Sequence, residues 1–537
     1  MNSANRFETV SGSGGQSPSS RPHLPLAIPG LVLLLLALGG LALRAGLFLG
    51  RARLAIASPF GIDYGEGIVW QQALLMHPGT MYGQIDRLPY IVFHYPPLYH
   101  FSVLLLGSAS GADLLATGRA ISVGATVLIA LMAGWLAWRN AGVGGGARLL
   151  GALIAATAPF GCWPIYQWAV LMRVDMLAAF FSLLGVCLGI AALRRPGLLY
   201  AAMVCFVAAV FTKQTELVAP LAVLAVHLRR RPARRSERVI QTSGEAASGH
   251  HALWAILFGA VLALAALAAM MVASDGGFLR HIIGYNINRM VLSNALFLLG
   301  TQFGEISLLV VAAVGVWCAW PARVRGDDAA AERAILVLLL GLNLPMLATI
   351  GKSGGNINYF IDFYIAAAPF VGIAAAAAAA RLLAPRSDGH ARLGPVAALA
   401  IPLLILAELK IGYLPPNIFA RPEIVARNEA ILERFRAASG PILADDMVLL
   451  LRAGKHVELE PSIFAELGAK GRWDGNRLIA LIQAHHFALI QTDRALDQGI
   501  MLARYTPRVR AAIEANYTVA ERFERRFIYS PAPEAGK

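Results

Sequence analysis

Charge is scarce in this chain. Only 15% of its residues are Asp, Glu, Lys or Arg, against about 25% in an ordinary soluble domain, and 57% are hydrophobic. The shortage is uneven, because long apolar runs such as Leu31 to Gly50 alternate with short Arg-rich pieces. A helical run of roughly 20 apolar residues matches the hydrocarbon thickness of a bilayer, and several such runs exclude a single soluble core. Cysteine is scarce too. Cys162, Cys187, Cys205 and Cys318 all lie in apolar stretches, without a metal spacing or a disulfide framework, and read as small buried residues. A dinucleotide fingerprint, a nucleophile elbow and a zinc-protease motif are all missing. Gly351-Lys352-Ser353 ends like a phosphate-binding loop, but that motif needs a glycine where Met346 stands, and no strand precedes it.

Acidic residues are outnumbered, 32 against 46 basic ones, for a net charge of +14 at pH 7. Such an excess suggests nucleic acid at first sight. The arginines sit between the hydrophobic runs, where the positive-inside rule places them, so no nucleic-acid partner is expected.

Residues 1–23, rich in Ser, Gly and Asn, are expected to form a disordered cytosolic tail rather than a cleaved signal. Eleven spans are expected, near 25–49, 119–138, 147–165, 175–193, 197–212, 215–229, 252–273, 301–320, 334–350, 358–380 and 394–413. Leu98 to Gly107 is too short to cross and is expected as an interfacial helix. With the N-terminus inside, the inner loops then hold Arg139 and Arg148; Arg194 and Arg195; Arg229, Arg230, Arg231, Arg234, Arg235 and Arg238; Arg323 and Arg325; and Arg381, Arg386 and Arg392. Counting 98–110 as a span would turn every later basic loop outward. The expected fold is a polytopic α-helical membrane protein over 24–413, with a long first outer loop at 50–118. A small α/β domain on the outer side follows over 414–537. Its strands are expected in PILADDMVLLL from Pro441, HVELE from His456 and FALIQTD from Phe487, with a helix over DGNRLIALIQAHH.

This sidedness gathers Asp63, Glu66, His94, His100, Arg119, Arg173, Asp175, Lys213, Gln214, Glu216, Arg280, His281, Arg289, Glu305, Lys352 and Asp362 toward the outer face. Ionisable groups at a membrane boundary are costly unless paired or functional. In Gly61-Ile62-Asp63-Tyr64-Gly65-Glu66-Gly67 the glycines permit tight turns that hold two carboxylates together, for a general base, half a divalent-metal site or a solvated turn. His94-Tyr95-Pro96-Pro97-Leu98-Tyr99-His100 offers two histidines without a demanding metal spacing. Lys213-Gln214 and Lys352 run against the positive-inside trend, and an anionic phosphate explains outer cations. Arg280, His281, Asn286 and Arg289 form a polar segment suited to a lipid head group or a plain surface. Asp445-Asp446 reads as a solvated turn.

Together these features resemble the multi-spanning GT-C glycosyltransferases that use polyprenyl-phosphate sugars. Among them are protein O-mannosyltransferases, lipid A aminoarabinose transferases and the galacturonosyl and mannosyl transferases of lipopolysaccharide. The resemblance covers roughly residues 25–410. It rests on Asp63 and Glu66, Tyr95-Pro96-Pro97-Leu98, Arg119, Arg173 with Asp175, Lys213-Gln214, and the turn from Lys352 to Tyr359. Protein mannosyltransferases place their Asp and Glu side by side, whereas Tyr64 and Gly65 intervene here. The resemblance implies an enzyme of a bacterial inner membrane acting at the outer face. Its partners would be a polyprenyl-phosphate sugar donor, a lipid, glycan or protein acceptor, and membrane lipids. Asp63 would be the base, and Glu66 would assist it or bind a divalent metal with His94. Lys213, Arg289 and Lys352 would hold phosphate, with Arg173 a weaker candidate, and Asp175 would orient Arg173 or the acceptor. Gln214, His94, Tyr95 and Arg119 would complete the substrate site. The rival expectations are a transporter or flippase, for which no internal repeat is visible, and a sensor.

Overall fold

The computed structural model describes residues 24–229, 248–286, 288–320, 328–383 and 393–533. The tail expected over 1–23 lies outside the described residues. So do Arg230, Arg231, Arg234, Arg235, Arg238, Arg323, Arg325, Arg386 and Arg392.

The apolar runs become helices, in which the backbone satisfies its own polar groups without water. The chain opens with α1 (Leu24–Ala57), α2 (Tyr64–Leu74), α3 (Leu98–Ser110), α4 (Leu114–Asn140), α5 (Gly145–Thr157) and α6 (Trp163–Trp168). Next come α7 (Asp175–Ala192), α8 (Leu198–Thr212), α9 (Val218–Arg229), α10 (Ser248–Ala273) and a short turn α11 (Gly277–Leu279). The helical part closes with α12 (Leu292–Gly300), α13 (Ile306–Ala319), α14 (Asp328–Met346), α15 (Ile361–Leu383) and α16 (Pro395–Ile411). Among the described residues, seven helical stretches are long and apolar enough to cross a membrane. The expected spans at α5, α8, α9 and α16 are shorter, at 13, 15, 12 and 17 residues. The run expected over 147–165 is broken. Pro159 and Pro164 sit at the starts of a 3-10 turn (Ala158–Gly161) and of α6, because proline lacks the N–H that would continue a helix.

Helix α15 lies at the centre of the bundle, while leucines of α1 such as Leu35, Leu36 and Leu43 remain exposed. Gly151 on α5 and Gly372 on α15 face each other so closely that a Cβ on either would meet the other's carbonyl oxygen. Small residues permit such contacts between membrane helices. Helix α3 buries Tyr99, His100 and Val103 and exposes Phe101, Leu105 and Leu106, the two-faced character expected of an interfacial helix. It ends at Gly111, in the left-handed region at φ 64°.

Beyond α16 the chain forms α17 (Pro422–Ala437), β1 (Ile442–Ala444), α18 (Met447–Arg452), α19 (Pro461–Ala469) and α20 (Asn476–Gln483). Then follow β2 (Leu489–Thr492), α21 (Met501–Arg504), α22 (Pro507–Asn516), β3 (Tyr517–Phe523) and β4 (Arg526–Pro531). The sheet order is β1-β2-β4-β3. Strands β1 and β2 are parallel, with Ile442 opposite Leu489, and the other pairs are antiparallel. Two strand expectations are corrected. The first strand stops at Ala444, because Asp446 Oδ1 accepts from Leu449 N at 3.1 Å and caps α18. HVELE is not a strand of the sheet. It makes only a bridge between Leu459 and Tyr90, with Tyr90 N donating to Glu458 O at 2.8 Å. The β3–β4 hairpin went unread because the middle of β3, residues 518–520, is exposed and lacks apolar alternation.

The soluble-looking segment does not own its core. Phe60, Val69, Trp70 and Ile91 from the first loop pack with Met447, Val448, Leu449 and Ile528. Ile85, Tyr90 and Val92 pack with Leu443, Phe464 and Tyr529. Gly67 permits this closeness, since a Cβ there would strike Met447 and the Val448 backbone.

Candidate active site

The segment Gly61 to Gly67 places its two carboxylates in different environments. Glu66, in the first turn of α2, accepts from Ile62 N at 2.7 Å, from Met172 N at 2.9 Å and weakly from Asp63 N at 3.4 Å. Arg119 of α4 grips it twice, through Nε at 2.8 Å and Nη2 at 2.7 Å. The remaining donors of Arg119 go to Ala55 O, Ser58 O and Phe60 O at 2.6–2.8 Å. Both side chains are fully buried. Burial alone would raise the Glu66 carboxyl, but Arg119 and the backbone N–H groups hold it below the usual carboxylate range. Its acceptor sites are filled, so Glu66 is a strut joining α1, α2, α4 and residue 172. The expectation that it assists the base or binds metal is corrected, and Arg119 is likewise committed to this strut.

Asp63 differs. Its Oδ1 accepts from Gly65 N at 2.9 Å and from Arg173 Nη1 at 3.3 Å. Its side chain also caps α2 by accepting from the Glu66 N–H, and about a quarter of it is exposed. Burial raises the Asp63 carboxyl above its usual value despite the opposing Arg173. Arg173 lies across Gly65 so that a Cβ there would overlap its guanidinium, and it packs over the Trp168 ring at 5.5 Å. Its Nη2 is 3.5 Å from the Tyr95 hydroxyl, and its Nε is buried without a partner among the described residues. Gly65→Ala is therefore expected to push Arg173 off Asp63. A displacement of this kind costs about a hundredfold in turnover. Product assays beside a melting curve check this, and full turnover in a folded Gly65→Ala protein would refute it.

Asp175 opens α7 with all its bonds made: to Lys213 Nζ at 3.0 Å, Asn358 Nδ2 at 2.8 Å and Trp168 Nε1 at 2.8 Å. It orients Lys213, not Arg173. Lys213 also sits 6.0 Å above the Tyr359 ring. Gln214 Nε2 donates to His94 O at 3.1 Å. The structure thus brings together Asp63, Arg173, Tyr95, Asp175, Lys213, Gln214 and His94. Arg289 and Lys352 are not joined to this cluster. Arg289 is exposed, with its carbonyl accepting from Ser353 N at 2.7 Å, and the backbone of Lys352 bridges Met290.

His94 does not converge with Glu66. Its Nε2 pairs with Glu460 at 2.7 Å, and its Nδ1 lies 3.3 Å from Asn286 Oδ1. His100 meets Gln72 at 3.1 Å in the core. His281 accepts from Phe93 N and donates to Gly83 O, which makes it a neutral strut rather than a surface group. The residues expected to hold a divalent metal do not fit one, because Glu66 is saturated and His94 is committed to Glu460. Among the described residues no three His, Cys, Asp or Glu side chains group for a metal ion.

Burial lowers the affinity of His94 for a proton, but Glu460 outweighs it and the imidazole is raised above its ordinary value. A raised histidine contributes stability that is fully present below the unfolded value of about 6.5 and is lost as pH rises through the folded one. The melting-temperature advantage of the wild type over His94→Gln is expected to shrink on going alkaline. An advantage that is flat or grows with pH contradicts the assignment.

Glu460 escaped the sequence reading because it lies 366 positions from His94. The expectation of a solvated Asp445-Asp446 turn is corrected, because the turn is built in. Asp445 is buried and accepts from Asp493 N at 2.9 Å and Tyr505 at 3.2 Å, while Asp446 pairs with Arg526 at 2.8 Å. Arg504 joins Asp445 and Asp493, at 3.2 and 2.7 Å, and stacks 3.9 Å over the Tyr64 ring beside Asp63.

A many-helix membrane part whose first loop is clasped by a small α/β part defines a GT-C-like fold. Among solved structures, the chain matches ArnT from Cupriavidus metallidurans bound to undecaprenyl phosphate, with TM-score 0.56 and 14% identity over 93% of this chain and 99% of that one. The apo state of the same protein matches with TM-score 0.56 and 14% identity, over 92% and 99%. At this identity the likeness establishes the fold. No family model matches the chain, and no curated protein matches it in sequence.

Proposed function

We propose that the protein is a membrane glycosyltransferase that moves a sugar from a polyprenyl-phosphate donor to an acceptor hydroxyl. The observation that carries this is the partition of charge at one site. Asp63 keeps a partly exposed carboxylate paired with Arg173, whose Nε has no partner among the described residues, and Lys213 is held as a second cation by Asp175. A phosphate ester is a competent leaving group and needs no strong acid. It needs a base for the nucleophile and positive charge for the departing anion. The acceptor oxygen attacks the anomeric carbon and its proton passes to the Asp63 carboxylate. The bond from the anomeric carbon to the phosphate oxygen breaks, and polyprenyl phosphate leaves with the electron pair against Arg173 and Lys213. One displacement inverts the anomeric centre.

The shared fold with ArnT, whose structure holds undecaprenyl phosphate, supports a lipid-phosphate donor. The basic loops between spans support eleven crossings with the N-terminus in the cytosol and the site on the outer face of a bacterial inner membrane. Arg289 and Lys352, which lie apart from this cluster, stay candidates for the donor's phosphate. Purified protein incubated with polyprenyl-phosphate sugars and analysed by mass spectrometry tests the reading. Free polyprenyl phosphate with a glycosylated acceptor is expected, and donor moved across vesicles without transfer would favour a flippase.

A further inference from the structure

Residues 61–67, which carry the base, are bedded between the two parts of the molecule. Asp63, Gly65 and Glu66 meet the helical part, through Arg173 and Arg119. Gly61, Tyr64 and Gly67 meet the α/β part. A Cβ on Gly61 would lie 3.2 Å from Val448, and one on Gly67 would strike Met447 at 2.5 Å. Between these two glycines, the Tyr64 hydroxyl lies 3.3 Å from Ser462 Oγ, and the Arg504 guanidinium stands 3.9 Å over the centre of the Tyr64 ring.

Arg504 is a fixed partner in this stack. It is 8% exposed, and its Nη1 is held by Asp493 at 2.7 Å and by Asp445 at 3.2 Å. These two acids directly follow β1 and β2, at the carboxyl ends of the parallel strand pair. That end of an α/β sheet is where ligands bind, and here Arg504 presents it to a ring from the first loop. A guanidinium over an aromatic ring is attracted to it, and its planar fork is more rigid than a lysine ammonium. The base needs such an anchor. Its contact with Arg173, at 3.3 Å, is longer than the roughly 2.7–2.9 Å of a strong charge-assisted bond. Its shorter bond, to Gly65 N at 2.9 Å, lies inside the segment and moves with it.

We propose, resting on the transferase reading above, that Arg504 is a positioning residue for glycosyl transfer: its stack on Tyr64 anchors residues 61–67 to the α/β part and so aims the Asp63 carboxylate at the acceptor hydroxyl. The α/β part then serves the chemistry through the neighbour of the base.

Two substitutions in the full-length protein loosen the stack without stranding a charge. Arg504→Lys keeps a cation for Asp445 and Asp493, and Tyr64→Leu leaves Arg504 paired with both. Each is expected to lower kcat by about tenfold with the donor KM little changed. Turnover is counted per polyprenyl-phosphate-binding site, so unfolded protein does not enter. Combined in one chain, the two changes should cost about as much as either alone, because both remove the same contact. Tyr64→Phe, which keeps the ring, should restore most of the turnover lost in Tyr64→Leu. The pH profile shows whether the effect reaches Asp63. Arg173 opposes the rise that burial imposes on this carboxyl, while Glu66 and Asp175 add to it. A segment displaced from Arg173 therefore moves the acid limb to higher pH, whereas a loss of packing elsewhere leaves the limb in place. Wild-type kcat in both single variants, losses that multiply in the double variant, or an unmoved acid limb overturns the positioning role and leaves the transferase reading standing. Wild-type protein that transfers sugar from no polyprenyl-phosphate donor overturns the transferase reading and the positioning role with it.

Discussion

Asp63→Asn is expected to slow glycosyl transfer by about 10²–10⁴-fold, the usual worth of a positioned general base, while the protein stays folded and still binds polyprenyl phosphate. The amide keeps an oxygen for Gly65 N and Arg173 but cannot receive a proton as the carboxylate does. The pH profile gives a second check. Burial raises the Asp63 carboxyl, so the acid limb of the wild-type profile should lie above the ordinary aspartate value of about 3.9. The base works deprotonated, so turnover falls as pH falls through that value, and the variant should lack this limb. Full transfer activity in a folded Asp63→Asn protein removes Asp63 from the mechanism. Loss of turnover with lipid binding kept is an enzyme's response, whereas a sensor would be indifferent.

Arg119→Met is expected to destabilise the protein by about 3–5 kcal/mol, because it leaves the Glu66 carboxylate buried and uncompensated. Five donor contacts radiate from Arg119, to Glu66 and to three carbonyls at the end of α1 and just beyond it. Glu66 in turn holds Met172 N, one residue before Arg173. The pair therefore sets the spacing between the base and its cation although neither member is free to touch substrate. Thermal unfolding of purified protein measures the loss. The double change Glu66→Leu with Arg119→Met should recover part of it, since an apolar pair removes the stranded charge. A single variant as stable as wild type would show that the pair is not the strut described here.

These two results separate carboxylates that look alike in sequence. Asp63 and Glu66 stand three positions apart in a glycine-rich segment, and both invite a catalytic reading. Their difference arises from partners at positions 119, 172 and 173, which reach them only when α4 and the start of α7 pack against α2. Arg173 was legible as an unexplained cation, but its seat over Gly65 was not. The loop histidine was legible as a titratable group, but its pairing was not, since its partner Glu460 arrives from the far end of the chain. The Asp445-Asp446 turn was misread for the same reason: Arg504, Tyr505 and Arg526 neutralise it from a distance.

What the amino-acid sequence determined by itself is the part that depends on local composition. Apolar runs without charge must become helices in a membrane, and the half-apolar stretch after Pro97 must lie with one face out. Tertiary structure decided which ionisable groups pair and which remain free. Pairing depends on ångström distances between residues hundreds of positions apart, and burial sets the cost of every charge left over. The scarcity of charge across the chain thus marks a membrane protein, and the few charges it keeps acquire their roles only where the helices bring them together.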